Sequence, residues 1–320
     1  MLKRIAAALL VLCGWSAQAQ NTGQDWPSRT IRVISPYAPG GAADATARLA
    51  AQELQRILGQ TMVVENRSGA SGTIGGEVVR QAAPDGYTLL ASPSSHILAR
   101  HVLRAAPYDP QADFTPVARF AEGPMLVLVN PAMPVNTIAE ALPLLRANPS
   151  RFTIGLGGLG AASHLAVLQF LRQAGLDLAM AAYRGSTPAL TDLISGNIQL
   201  MIDPGGFPHV QDGRLKALAI TGTRRHPLLP SMPTAAESGM PGLEMVGWYG
   251  LWGPKDLPAP IVARLNAAMT EAVQQPALVQ RLYALGLVPA SSTPTEFARH
   301  IQEELSRSAM LLEEARYQPE

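Results

Sequence analysis

Thr30-Ile31-Arg32-Val33-Ile34-Ser35-Pro36-Tyr37-Ala38-Pro39-Gly40-Gly41-Ala42-Ala43-Asp44 is the stretch on which the fold turns. Residues 30–35 are a run of strand length, rich in β-branched side chains. Pro36, Pro39, Gly40 and Gly41 break it. Asp44 can cap the helix that follows, in which Ala47, Ala50, Ala51, Leu54 and Leu58 keep the three–four spacing of one buried face. The unit is strand, glycine turn, helix. Such a turn aims backbone N–H groups and the positive end of a helix dipole at one point, and glycine lets an anion approach closely. From the residues alone it reads either as an anion cradle or as a plain connector with a helix cap.

The same unit returns over residues 152–170. Gly155-Leu156-Gly157-Gly158-Leu159-Gly160-Ala161-Ala162-Ser163-His164 again joins a strand to a helix. Gly155, Gly157 and Gly160 satisfy the dinucleotide pattern G-x-G-x-x-G. The acid that pattern needs is absent, because Asp177 precedes the next strand instead of ending it. The same amides can hold a carboxylate, and His164 reads as a helix histidine. Further strands are expected at 62–65, 87–92, 125–129, 180–183, 199–202 and 215–221. Helices are expected at 78–82, 95–103, 138–146, 188–194, 260–272, 276–285 and 294–314. Residues 243–252 are apolar and aromatic without helical spacing. The alternation predicts an α/β architecture with parallel pairing in two similar lobes.

The first residues read as an address. Lys3 and Arg4 precede an uncharged apolar run to Trp15, and Ala17-Gln18-Ala19 is a small-x-small cleavage site. The chain is therefore expected to be exported, with the leader removed after Ala19. Cys13 is the only cysteine and falls within that leader, where Leu12 before it argues against lipid attachment. The remaining chain then has no disulfide and no thiolate site. Loss of Lys3 and Arg4 takes the formal charge from +1 to −1. A near-neutral chain without basic clusters is not a nucleic-acid binder.

Three other places carry candidate chemistry. Tyr183-Arg184-Gly185-Ser186 follows a strand, and Arg184 reads as an anion partner or a surface charge. Ser92, Ser94, Ser95 and His96 follow another strand, where open α/β sheets bind ligands. Asp203 ends a strand and could accept from a ligand hydroxyl or amine, or hold loop amides. Gly69-Ala70-Ser71-Gly72-Thr73 departs from the nucleophile elbow G-x-S-x-G at Thr73. His96, His101, His164, His209, His226 and His300 show no metal spacing. An exported hydrolase using Ser71 or Ser163 with His164 is the enzyme alternative, and adjacent Ser163 and His164 make poor triad geometry. No enzyme activity, cofactor or metal is expected.

Taken in order, the motifs resemble the Bug family of solute-binding receptors associated with tripartite tricarboxylate transporters. The resemblance rests on Pro39-Gly40-Gly41 with Asp44, Val64-Glu65-Asn66-Arg67, Asp85-Gly86-Tyr87-Thr88-Leu89 and Tyr108-Asp109-Pro110. It continues through Ser163-His164-Leu165-Ala166, Tyr183-Arg184-Gly185, Leu218-Ala219-Ile220-Thr221, Trp248-Tyr249-Gly250 and Arg264-Leu265-Asn266. It implies a two-lobed periplasmic binding protein fold of the Venus-flytrap kind, with two strands crossing between lobes near Met125 and Trp248. Lobe 1 would hold residues 26–124 and 248–320, and lobe 2 residues 125–247. It implies a small carboxylate ligand bound to Tyr37, Gly40, Gly41 and Asp44 on one side. Gly158, Gly160, Ala161, Ala162 and Ser163 would bind it on the other. Ser71, Ser92, Ser94, Tyr183, Arg184 and Asp203 complete the candidate set. A monomeric receptor would pass the ligand to membrane permease subunits; the alternative output is a membrane sensor. Ala161 and Ala162 stand where hydroxyl residues are frequent in the family, and Ala182 where proline is, which leaves the far end of the ligand open.

Overall fold

β1 (Ile31–Ser35), α1 (Ala42–Leu58) and β2 (Met62–Asn66) follow the opening stretch. The computed structural model describes residues 26–159, 162–314 and 317–319. The leader, with Cys13 and the cleavage point after Ala19, lies outside the described residues, as do Gly160 and Ala161. In α1, Ala47, Ala50, Ala51 and Leu54 are buried against the first sheet, as their spacing requires. Burying one leucine of this kind contributes about 1.5–3 kcal/mol. Gly59 ends the helix with φ 69°, its N–H donating to the Gln55 carbonyl at 3.0 Å, a left-handed cap that glycine adopts without a Cβ penalty.

The chain continues through α2 (Thr73–Arg80), β3 (Thr88–Pro93), α3 (Ser95–Val102) and β4 (Phe114–Pro124). It then enters β5 (Leu126–Val129), α4 (Ile138–Ala147), β6 (Thr153–Leu156), α5 (Ala162–Ala174) and β7 (Ala179–Ala182). α6 (Ser186–Ser195), β8 (Leu200–Asp203), α7 (Phe207–Gln211) and β9 (Lys216–Ile220) follow. β10 (Val246–Pro254), α8 (Ala259–Ala272), α9 (Pro276–Ala284), β11 (Val288–Pro289) and α10 (Pro294–Glu314) end the chain.

These strands make two sheets, ordered β11-β4-β10-β3-β1-β2 and β7-β6-β8-β5-β9. The protein is a two-lobed α/β fold, as the alternating pattern predicts. The pairing is mixed rather than parallel throughout. β1 runs parallel to β2 and β3, and β6 to β7 and β8, but β10 is antiparallel to β3 and β4, and β5 to β8 and β9. The antiparallel strands are those next to the passages between sheets, where the chain arrives from the other half of the molecule.

β4 and the two-residue β11 are strands that pattern reading misses. Pro116, Gly123 and Pro124 interrupt β4, and its burial follows no simple alternation. Tertiary pairing makes it a strand: it lies between β10 and β11, with Arg119 and Glu122 paired at 3.0 Å. α10 packs on α3 and β4 of the first half and on α5 of the second, so it braces both. Among the described residues no helix is long and apolar enough to cross a membrane, and no group of three His, Cys, Asp or Glu could hold a metal ion.

Candidate functional site

The Pro36–Gly41 turn is held from behind by a polar knot. Asp44 is 4 % exposed, and both its oxygens are engaged. One accepts from the Gly40 N–H and from Arg48 Nε, each at 3.0 Å; the other accepts from Asn66 Nδ2 at 2.8 Å. Asn66 Nδ2 also donates to the Tyr37 carbonyl at 2.9 Å, while its Oδ1 accepts from Arg48 at 3.0 Å. Burial would push the Asp44 carboxyl up; the bonds from Arg48, Gly40 and Asn66 outweigh it and hold the group below its ordinary value. Asp44 is therefore not the α1 cap that the sequence suggests. Gly41 is the N-cap, and no side chain satisfies the first turn. Asp44 reaches back to the residue before the cap and fixes the loop.

That open helix start faces a cavity between the two sheets, with about 680 Å³ of space free of atoms, part of it open to solvent. Gly41, Ala42 and Ala43 bring the start of α1 to its wall. Ser94 and Ser95 bring that of α3, Ala162 and Ser163 that of α5, and Gly185, Ser186 and Thr187 that of α6. The starts of α1, α3 and α6 have no side-chain cap. The first N–H groups of a helix lack intrahelical partners and carry the positive end of its dipole. Four helices, two from each half of the chain, thus turn their positive ends on one space. No Lys, Arg or His is among the described wall residues. The positive ends that these residues offer an anion belong to the backbone.

The two glycine turns nearly touch across the cleft. A Cβ at Gly41 would lie 3.2 Å from Thr187 Oγ1, and one at Gly158 would lie 3.9 Å from Tyr37 Cε1. The arrangement is closed. Tyr37 is fixed in it by a 2.5 Å hydrogen bond with Ser95 Oγ and a 3.3 Å bond to the Ser71 carbonyl. Burial pushes its phenol up to about 12, with the Ser95 bond opposing, so it stays a neutral donor. At Gly157 a Cβ would meet Ser186 Oγ at 2.8 Å and Asp203 Oδ2 at 3.0 Å, so only hydrogen fits there.

Of the residues singled out from sequence, Tyr37, Gly41, Ser94, Ala162, Ser163 and Asp203 stand at this wall. Gly40, Asp44, Ser71 and Gly158 are not among the wall residues; Gly158 faces Tyr37 from the second turn. Ser92 is buried, its hydroxyl donating to the Pro93 carbonyl at 3.1 Å. Tyr183 and Arg184 point elsewhere: the Tyr183 hydroxyl donates to Asp192 at 2.7 Å, and Arg184 is exposed. The wall from that segment is the next four residues, Gly185, Ser186, Thr187 and Pro188. Sequence reasoning passed over Thr187, and it named Ser186 and Tyr249 only within their motifs, without a place in the site. The available signal was the Ser-Thr-Pro start of α6, which follows β7 as the other turns follow β1 and β6. Gly160 and Ala161 lie outside the described residues.

Ser163 and His164 diverge. Ser163 faces the cavity, whereas His164 is fully buried and packs edge-on against Tyr317 with ring centroids 5.0 Å apart. Burial pushes the His164 imidazole down to about 4. The pair cannot act together on one substrate, which removes the hydrolase alternative at this site.

The family model described as tripartite tricarboxylate transporter family receptor matches residues 46–316. The chain belongs to that family. The receptor is 35% identical to protein BugT of Bordetella pertussis over 293 residues, 90% of each chain. Its fold matches the solved structure of R. palustris Rpa4515 with adipate at a TM-score of 0.89 and 34% identity, over 92% of this chain and 100% of that one. It matches the periplasmic binding protein BugD at a TM-score of 0.87 and 31% identity, again over 92% and 100%. These relatives are solute-binding receptors and not enzymes.

Proposed function

We propose that this receptor captures a small carboxylate between its lobes and presents the closed complex to permease subunits in the membrane. The observation that carries the reading is the meeting of four helix starts on a wall with no Lys, Arg or His among its described residues. Backbone N–H groups at helix starts favour one anion and need no side-chain cation. A ligand touched by α1 and α3 on one side and by α5 and α6 on the other binds the closed state better than the open one. That difference in affinity shifts the population. Adipate in the R. palustris relative is a carboxylate of the kind proposed.

In this reading residues 26–124 with 248–320 form one lobe and residues 125–247 the other. Gly41 and Ser163 contact the acid with their backbone N–H groups, Tyr37 borders it, and Gly158 lies on the second turn. The leader is removed after Ala19, and the receptor works in the periplasm as a monomer. A thermal-shift screen of small mono- and dicarboxylic acids tests it. One site filled at a hundred times its dissociation constant adds about 2.7 kcal/mol of stability. A screen in which no acid shifts the melting temperature refutes the reading.

A further inference from the structure

Asp44 and Asp203 are both buried carboxylates, and their surroundings are opposite. Asp44 has a cation, Arg48, at 3.0 Å and is not among the wall residues. Asp203 is 2 % exposed, is part of the wall, and has only neutral partners: Ser186 Oγ donates to one oxygen at 2.8 Å and the Gly205 N–H to the other at 2.7 Å. It is the one acidic residue among the described wall residues, and no basic residue accompanies it there. A carboxylate offers about four acceptor positions, and the two bonds leave acceptor capacity on both oxygens.

A buried carboxylate with no cation is costly unless something completes its shell. Burial accordingly raises the Asp203 carboxyl to about 6, with the bonds from Ser186 and Gly205 opposing. Holding the 204–206 turn needs no charge, since an asparagine oxygen would accept from Gly205 as well. The charge is thus unexplained by local structure, and it sits in a cavity otherwise built for an anion. A ligand whose second end reaches the Gly157 and Ser186 side of the wall meets Asp203 there, and a negative second end would meet like charge. A ligand with an acid at one end and an N–H donor at the other satisfies both parts of the wall.

We propose that Asp203 is the specificity-determining residue of this receptor and selects acids whose far end carries an N–H donor, an amine or an amide, over dicarboxylates of equal length. The inference rests on the carboxylate-receptor reading above. It is tested by titration calorimetry at neutral pH with three probes that share a three-methylene spacer, 4-aminobutyrate, glutaramate and glutarate, and with the two-methylene set β-alanine, succinamate and succinate. Like-charge contacts in a dry interface cost several kcal/mol, so at one or both lengths the N–H acids should bind at least ~10-fold more tightly than the diacid. In Asp203→Asn, which keeps the acceptor for Gly205, that ratio should fall to near one or invert. A diacid that binds wild-type protein as tightly as its amine and amide partners overturns the proposal, as does a ratio unchanged in the variant. If no probe of either length binds and no acid shifts the melting temperature either, the carboxylate-receptor reading fails; if another acid does shift it, only the proposal for Asp203 falls. Binding of the diacids alone overturns only the role of Asp203.

Discussion

Thr221 and Met125 exchange two hydrogen bonds at the passage between the sheets. The Thr221 N–H donates to the Met125 carbonyl and the Met125 N–H to Thr221 Oγ1, both at 2.8 Å. The same hydroxyl donates to the carbonyl of Met245, at the entry to β10. One fully buried threonine therefore ties the end of β9 to both strands of chain that pass between the halves.

Thr221→Val should remove that tie while keeping the shape of the side chain. It leaves the Met125 N–H and the Met245 carbonyl unpaired, and an unsatisfied buried polar group costs about 1–3 kcal/mol. A drop of that size in urea-unfolding stability is expected. Unchanged stability would mean that water replaces the hydroxyl and that the tie does not matter.

Gly41→Asp should act with opposite signs on stability and binding. Gly41 has φ −83° and ψ 170°, which any residue adopts, and aspartate is a favoured N-cap. Stability of the free protein should hold or rise slightly. Carboxylate affinity should fall at least ~10-fold, because a negative side chain then faces the ligand and its Cβ meets Thr187. Calorimetry and urea unfolding on the same preparation read both, and retained affinity would remove α1 from the site.

Gly286→Ala probes a second contact between the halves. Gly286 has φ +74°, and a Cβ there would lie 2.5 Å from Cδ2 of the buried Phe207 ring. Phe207 packs edge-on against His226, which in turn faces Tyr283 of α9. The substitution should cost more than the ~1 kcal/mol of a left-handed alanine alone, because the ring has to move. Small-angle scattering should show a more open average shape. An unchanged scattering profile would mean that this contact does not hold the closed form.

Stability should depend on pH through the two buried carboxylates in opposite directions. The folded value of Asp203, about 6, lies above its ordinary 3.8. Between these values the folded state binds more protons than the unfolded one, so stability falls as pH rises through that window. Asp44, held below its ordinary value, contributes stability that is lost as pH falls. Tyr37 and Tyr249, whose phenols are raised chiefly by burial, stay neutral throughout. Burial lowers His96, His164 and His300 to about 3, 4 and 4, which makes stability rise with pH, and Asp203 opposes them; urea unfolding between about pH 4 and 6 should therefore show a steeper rise with pH in Asp203→Asn than in the wild-type protein. The same slope in both proteins would mean that Asp203 does not titrate in this window.

The strand–turn–helix units, the face of α1, the ends of α8 to α10 and the two glycine turns were legible in the chain itself. Each rests on local physics: apolar period, helix-breaking residues and cap chemistry act within a few positions. The wall of the cavity was legible only in part. Gly41 and Ser163 carry the signature of their turns, but Ser186, Thr187 and Tyr249 reach the site because α6 and β10 converge on it from distant sequence. β4 was illegible for the same reason, being a strand through its pairing with β10 and β11 rather than through its own pattern.

Gly41 and Gly158 are recognisable one at a time as turns of a βα unit. That they face Thr187 and Tyr37 across one closed space depends on how the two sheets are joined at Met125, Thr221 and Met245. The contrast between Asp44 and Asp203 has the same origin. Both follow or end a strand in the sequence, and only the packing gives one an arginine and leaves the other facing the cavity without one.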